Sequence, residues 1–246
     1  MKTLIKTLKF KREERAFLTP KDQVKHAIRI ATRRRINLTP VHSGAGYTTK
    51  YVVRTKDKTY FLKIANKHAE RRMSRVVPER RHFYPGRLSR EYEVLSKLSQ
   101  LKLAPKPVLR DKSFLMMEFA QGKLLSEVLA SPQTRTETKL VLTKKAFEAI
   151  VKIHQKGIIF PDLSPTNIIV NAGDLKFIDF EIYFANYVPK EDQLVFALSK
   201  YISRLQRIKS LCCDTIYKQA KQFIAKYPGG VQEKLAPMIE RFKNGN

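Results

Sequence analysis

The chain has 246 residues, enough for one compact fold or two closely joined lobes and too few for a large multidomain protein. Its 49 Lys and Arg against 22 Asp and Glu give a formal charge of +27, which points to anionic partners such as nucleic acid, an anionic lipid surface or a phosphorylated glycan without choosing among them. The only cysteines, Cys212 and Cys213, are adjacent, which argues against a disulfide framework or a cysteine zinc site; no stretch reads as a signal core or a transmembrane segment, so a cytoplasmic chain is expected.

Basic residues cluster over 29–35 and again over 67–90, and residues 1–40 read as a basic amino-terminal extension. Over 47–65 the pattern turns β-branched and aromatic. There Tyr51-Val52-Val53 and Tyr60-Phe61-Leu62 flank Thr55-Lys56-Asp57-Lys58, which predicts a hairpin. Leu88, Glu91, Leu95 and Leu98 recur at helical spacing and put Glu91 on an apolar face, where a carboxylate needs a partner. Residues 114–119 predict another strand, ended by Gln121-Gly122 before a helical run over 124–129. A longer helix over 138–156 closes at Gly157. Strand-like segments follow at 158–160, 167–170 and 175–178, the last two joined by the turn Asn171-Ala172-Gly173-Asp174, and from residue 191 the chain reads as helix. Strands first and helices second predict an α+β fold with a junction near 118–122, the kind of place where ligands bind.

Several side chains in this layout are candidates for chemistry. Gly44 and Gly46, in Ser43-Gly44-Ala45-Gly46-Tyr47, would let backbone amides approach phosphate oxygens. Lys63 lies in the otherwise apolar Tyr60-Phe61-Leu62-Lys63-Ile64-Ala65, where an ammonium is costly to bury without a negative partner; Glu91 is the candidate to supply one. His154 shares an apolar helical face with Phe147, Ile150 and Val151 and reads as packing.

The run from His154 to Val170, containing Phe160-Pro161-Asp162-Leu163-Ser164-Pro165-Thr166-Asn167, closely resembles the catalytic loop of the protein-kinase-like superfamily. Leu175-Lys176-Phe177-Ile178-Asp179-Phe180 resembles its metal-binding segment, and the likeness extends over residues 41–205. The resemblance implies a bilobal fold, with a strand-rich lobe over 41–119 and a helix-rich lobe over 120–246, using ATP and magnesium. It implies that Asp162 orients the acceptor hydroxyl and takes its proton, while Asn167 and Asp179 hold magnesium. Lys63 would contact the phosphates and pair with Glu91, Gly44 and Gly46 would belong to the nucleotide loop, and the backbone around Glu118 and Ala120 would contact adenine.

The departures from that pattern are specific. Pro161 stands where protein kinases usually carry Arg, Ser164 where the serine/threonine kinases carry Lys, and Glu181 where Gly follows Asp-Phe. Thr49 occupies the third glycine position, and no Ala-Pro-Glu segment follows. The pattern is similar to atypical members: lipopolysaccharide-core (Kdo or heptose) kinases, aminoglycoside-type kinases, RIO kinases and the small kinase of the threonylcarbamoyl-adenosine tRNA-modification complex. With the charge, this leads to an expected sugar acceptor in an anionic glycolipid at the inner membrane face, with Arg71, Arg72, Arg75, Arg80 and Arg81 as anion contacts. The alternative is an atypical serine/threonine protein kinase or ATPase working beside RNA or in an RNA-associated complex.

Overall fold

A computed structural model of the chain describes residues 37–41, 48–65, 83–85, 88–111, 114–184, 186–208, 211 and 214–243. Gly44, Gly46, the five arginines of 71–81, most of the amino-terminal extension and both cysteines lie outside the described residues. The chain divides into two compact units, Met1–Ser74 with Pro107–Phe119 and Arg75–Lys106 with Ala120–Asn246.

The first unit is an antiparallel sheet in the order β1-β2-β3-β6-β5, with β1 Asn37–Val41, β2 Thr48–Arg54, β3 Thr59–Ala65, β5 Pro107–Arg110 and β6 Phe114–Glu118. The expected hairpin is β2–β3, in a register that pairs Tyr51 with Leu62 and Val53 with Tyr60. Its turn is closed by Thr55, whose N–H donates to Lys58 O at 2.9 Å and whose hydroxyl oxygen accepts from Lys58 N–H at 3.1 Å. Strand alternation then sends Tyr51, Val53, Leu62, Ile64, Phe114 and Met116 to one face as a buried cluster. The edge strands β1 and β5 were not foreseen. Each carries a proline, Pro40 or Pro107, which cannot donate to a ladder and is tolerated only at an edge or a strand start.

The second unit contains helices α1 Leu88–Gln100, α2 Leu125–Ala130, α3 Thr136–Gln155, α4 Lys190–Gln206, α5 Asp214–Ile224 and α6 Gly229–Glu240. It also holds a three-stranded sheet of β7 Lys123–Leu124, β8 Ile168–Asn171 and β9 Asp174–Phe177, and a ribbon pairing β10 Ile182–Phe184 with β4 Phe83–Pro85. The α+β class expected from the sequence is the observed one. So is the inward face of α1, where Leu88, Glu91, Leu95 and Leu98 are the buried residues. Among the described residues no helix is long and apolar enough to cross a membrane.

Two glycines set the entries to the functional segments. At Gly122, φ is +132°, and a Cβ there would meet Val170 O at 2.1 Å, so only glycine lets β7 pair with β8. Gly157, at φ +73°, ends α3 by donating its N–H to His154 O. Residues 158–160, expected as a strand, join no ladder. Pro161 lacks an N–H to extend one, and Ile158 and Phe160 are buried instead.

In the helical core Phe147 stacks on Phe223 at 4.3 Å and meets the Tyr201 ring edge-on. His154 is buried there, its Nδ1 2.8 Å from the Tyr227 hydroxyl. Burial, with the nearby Lys190 charge adding, holds its pKa down at about 3. The unfolded chain binds a proton at His154 near the ordinary value of 6.5, whereas the native state refuses it until about pH 3, so stability falls as pH drops through that window. The expected slope is up to about 1.4 kcal/mol per pH unit, measured by urea unfolding between neutrality and about pH 5. His154→Gln is expected to flatten this part of the profile; an unchanged slope would remove His154 as its source.

Candidate active site

The segment that resembles a catalytic loop is built around a short turn. Ser164 adopts an extended backbone and caps a 3-10 turn over Pro165–Asn167, its hydroxyl accepting from Thr166 N–H at 3.2 Å. Pro165 occupies the first helical position, where its fixed φ suits the turn and its missing N–H costs nothing. The turn closes with Asn167 N–H donating to Ser164 O at 2.9 Å. This brings the Asn167 side chain back to Asp162, where Nδ2 donates to the backbone oxygen at 2.9 Å and to the carboxylate Oδ2 at 3.1 Å. Asp162 keeps 28% of its side chain exposed, between the fully buried Leu163 and the buried Phe160.

The metal-binding-like segment is tied to the same loop. Ile178 N–H donates to Asn167 O at 2.9 Å, and Phe177 N–H donates to Leu103 O at 2.7 Å. Phe180 N–H donates to the Glu91 carboxylate at 3.2 Å, and the Phe180 ring packs edge-on against Phe160 at 4.8 Å. Between these anchors Asp179 sits at φ +68°, the left-handed region that disfavours residues with a Cβ. Such a conformation costs about 1–3 kcal/mol and persists only where its surroundings over-determine it, as the bonds at 177, 178 and 180 do here. Glu91, 1% exposed, therefore does more than complete a helix face: it fixes the residue after Asp179.

The remaining sequence candidates are placed as follows. Lys63 is 3% exposed in β3, in register with Lys50 on one side and Leu115 on the other, and it lies on the sheet face opposite Leu62 and Ile64. Glu118 ends β6, exposed and in register with Tyr60; Ala120, two residues on, lies outside any helix or strand. The structure thus gathers Asp162, Asn167, Asp179 and Glu91 in the second unit, while Lys63 and Glu118 belong to the first. Two residues of the site were not foreseen. On α4, Lys200 Nζ lies 2.5 Å from Asp162 Oδ1, and Arg204 Nη1 donates to the Ser164 hydroxyl at 2.7 Å and to Thr166 Oγ1 at 3.2 Å. Their four-residue spacing, beside a loop that lacks its usual lysine, was the available sign.

A family profile described as the RIO domain matches residues 45–203, well over half of the chain. The chain belongs to the RIO-domain family. It is also similar to MAP kinase kinase kinase wis4 of Schizosaccharomyces pombe, at 35% identity over 73 residues that cover 29% of this chain and 5% of that protein. Similarity to the KEOPS complex subunit Bud32 of Pyrococcus abyssi is 33% over 66 residues, 27% of this chain and 29% of that one. The chain thus spans less than a third of either curated relative. Among solved structures, the Rio2 kinase-ADP/Mg2+-phosphoaspartate complex from Chaetomium thermophilum superposes with a TM-score of 0.57 at 13% identity, covering 92% of this chain and 76% of that one. The fold of this RIO-domain chain is therefore protein-kinase-like, as the motifs implied.

The Glu91 contact is open to test. Glu91→Ala removes the acceptor and strands a buried N–H, so a loss of about 1–3 kcal/mol in denaturant unfolding is expected, together with faster hydrogen exchange at the Phe180 amide. Glu91→Gln keeps an oxygen acceptor and is expected to retain the protection. Equal protection of Phe180 in Glu91→Ala would contradict the contact.

Proposed function

We propose that this chain is an ATP-dependent atypical kinase that moves the γ-phosphate to a hydroxyl of a protein in an RNA-associated assembly. The observation that carries this reading is the Asp162 carboxylate held by the Asn167 amide, with the fixed left-handed Asp179 bound to the same loop through Ile178. In the transfer, the acceptor oxygen bonds to the γ-phosphorus and the bond from that phosphorus to the oxygen bridging the β- and γ-phosphates breaks; the hydroxyl proton goes to Asp162. Asn167 fixes the direction of the carboxylate, so the acceptor is oriented before it reacts.

The donor set suits magnesium. Asn167 directs its NH2 to Asp162, which leaves the amide oxygen as its cation-binding pole, and Asp179 adds a carboxylate. Among the described residues no group of three or more His, Cys, Asp and Glu could by itself hold a metal ion. Magnesium is commonly held by one or two carboxylates together with nucleotide phosphates. When bound, such an ion neutralises triphosphate charge. The Rio2 structure is a complex with ADP and Mg2+, which supports ATP and magnesium as the cofactors here. Lys63 is the proposed phosphate contact, Gly44 and Gly46 the proposed phosphate cradle, and the backbone at Glu118 and Ala120 the proposed adenine contact.

The acceptor reading rests on the relatives and the charge. Bud32 is named as a subunit of the KEOPS complex, and RIO-domain membership supports the protein-kinase alternative over the glycolipid sugar acceptor that was expected first. A charge of +27 suits a neighbourhood of RNA phosphates. Residues 181–189 are all that separate the Asp-Phe pair from α4, which leaves little chain for a peptide-docking platform and favours an acceptor held by its own assembly.

The test supplies labelled ATP and magnesium with RNA–protein particles in one arm and purified core glycolipid in the other. Label is expected on protein, with transfer lowered about 10²–10⁴-fold in a folded Asp162→Asn variant, and filter-bound RNA is expected to decline with added salt. Label on glycolipid but not on protein would overturn the acceptor; an unimpaired Asp162→Asn would overturn the mechanism.

A further inference from the structure

Ser164 stands at the position where a lysine would carry a cation to the catalytic loop, and the structure brings a cation to the same carboxylate from elsewhere. Lys200 Nζ is 2.5 Å from Asp162 Oδ1, and Arg204, one helical turn on, lies against Ser164 and Thr166 with Nη2 4.0 Å from the same Asp162 oxygen. We propose that Lys200 is a catalytic residue of this chain, supplying from α4 the ammonium that binds the transferred phosphoryl group while it holds Asp162. The inference rests on the kinase reading above and names a group which that reading does not require.

The exchange has a physical logic. A lysine at 164 has no oxygen with which to cap the 3-10 turn, whereas the Ser164 hydroxyl accepts from Thr166 N–H and from Arg204. The loop residue has become the cap, and the cation has moved to a helix. That helix is well anchored: Ala197, Leu198, Tyr201, Ile202 and Leu205 are fully buried, so the backbone carrying Lys200 is set by the core. The Lys200 side chain is 31% exposed, and a pair with that much water access gains little for stability. Its value lies in where it is held. An ammonium has three donors, and one directed to Asp162 Oδ1 leaves others for phosphoryl oxygens. As the acceptor oxygen bonds to phosphorus, the bridging oxygen leaves with ADP and the hydroxyl proton passes to Asp162. The attraction of Lys200 to that carboxylate then weakens while the phosphoryl oxygens still carry charge, so the cation favours the reacting arrangement over the resting one.

The test measures binding, which requires no acceptor. Calorimetry compares ADP with magnesium against ADP, magnesium and beryllium fluoride, the fluoride standing in for the transferred phosphoryl group, in the full chain and in Lys200→Met and Lys200→Arg. Lys200→Met is expected to weaken the fluoride complex about ten- to a hundredfold while ADP affinity and melting temperature stay unchanged, and Lys200→Arg is expected to restore most of the loss. Unchanged fluoride affinity in Lys200→Met, or an equal loss for ADP and its fluoride complex, would overturn the role of Lys200 and leave the kinase reading standing. A wild-type chain that binds neither form would overturn the kinase reading and this inference together. If Lys200→Met fails to fold, Lys200→Gln takes its place in the same comparison.

Discussion

The site depends on one short constraint: the 3-10 turn over Pro165–Asn167 that folds Asn167 back onto Asp162. Ser164 caps it, Pro165 starts it, and its last residue holds the carboxylate on one side and the Ile178 amide on the other. A five-residue separation in sequence becomes a hydrogen bond, and the segment carrying Asp179 is bound to the same residue. Each of these bonds is modest singly, about 0.5–1.5 kcal/mol net between neutral groups and more to a charged one. Together they define a single arrangement for the turn beside the partly exposed Asp162.

The strain at Asp179 follows from that arrangement. The left-handed region at φ +68° is unfavourable for a residue with a Cβ, though less so for Asp than for most, and the neighbours hold Asp179 in it. Here Phe177 and Phe180 are buried on either side, and the amide of Phe180 is satisfied by a carboxylate from α1. The core thereby sets the backbone at Asp179, and Glu91 couples a helix to it. This gives α1 a direct means of influencing the segment that carries Asp179: a displacement that withdrew Glu91 would leave the Phe180 N–H unsatisfied.

Much of this was legible in the sequence because it was periodic or local. The inward face of α1, the β2–β3 hairpin and the turn at 171–174 follow from spacing and turn chemistry, and the loop motifs named Asp162, Asn167 and Asp179. Residues 158–160 misled because an apolar run reads as a strand whether or not a ladder partner exists. The edge strands β1 and β5 were masked by their prolines. Lys200 and Arg204 were invisible for another reason: their role arises from the packing of α4 against a loop nearly forty residues earlier, which no local pattern encodes. The absent lysine at 164 and the four-residue spacing of the two cations were the only hints. Charge was the least specific signal, since a +27 surface serves a glycolipid and an RNA equally well.

The central claim is that Asn167 and Asp179 bind a divalent ion together with a nucleotide. Electron paramagnetic resonance of Mn2+, used in place of magnesium and titrated with ADP, measures this directly. The wild-type chain is expected to bind Mn2+ in an ADP-dependent manner, and a folded Asp179→Asn variant is expected to lose that dependence. The same ADP-dependent binding in both proteins, or none in the wild type, would contradict the account.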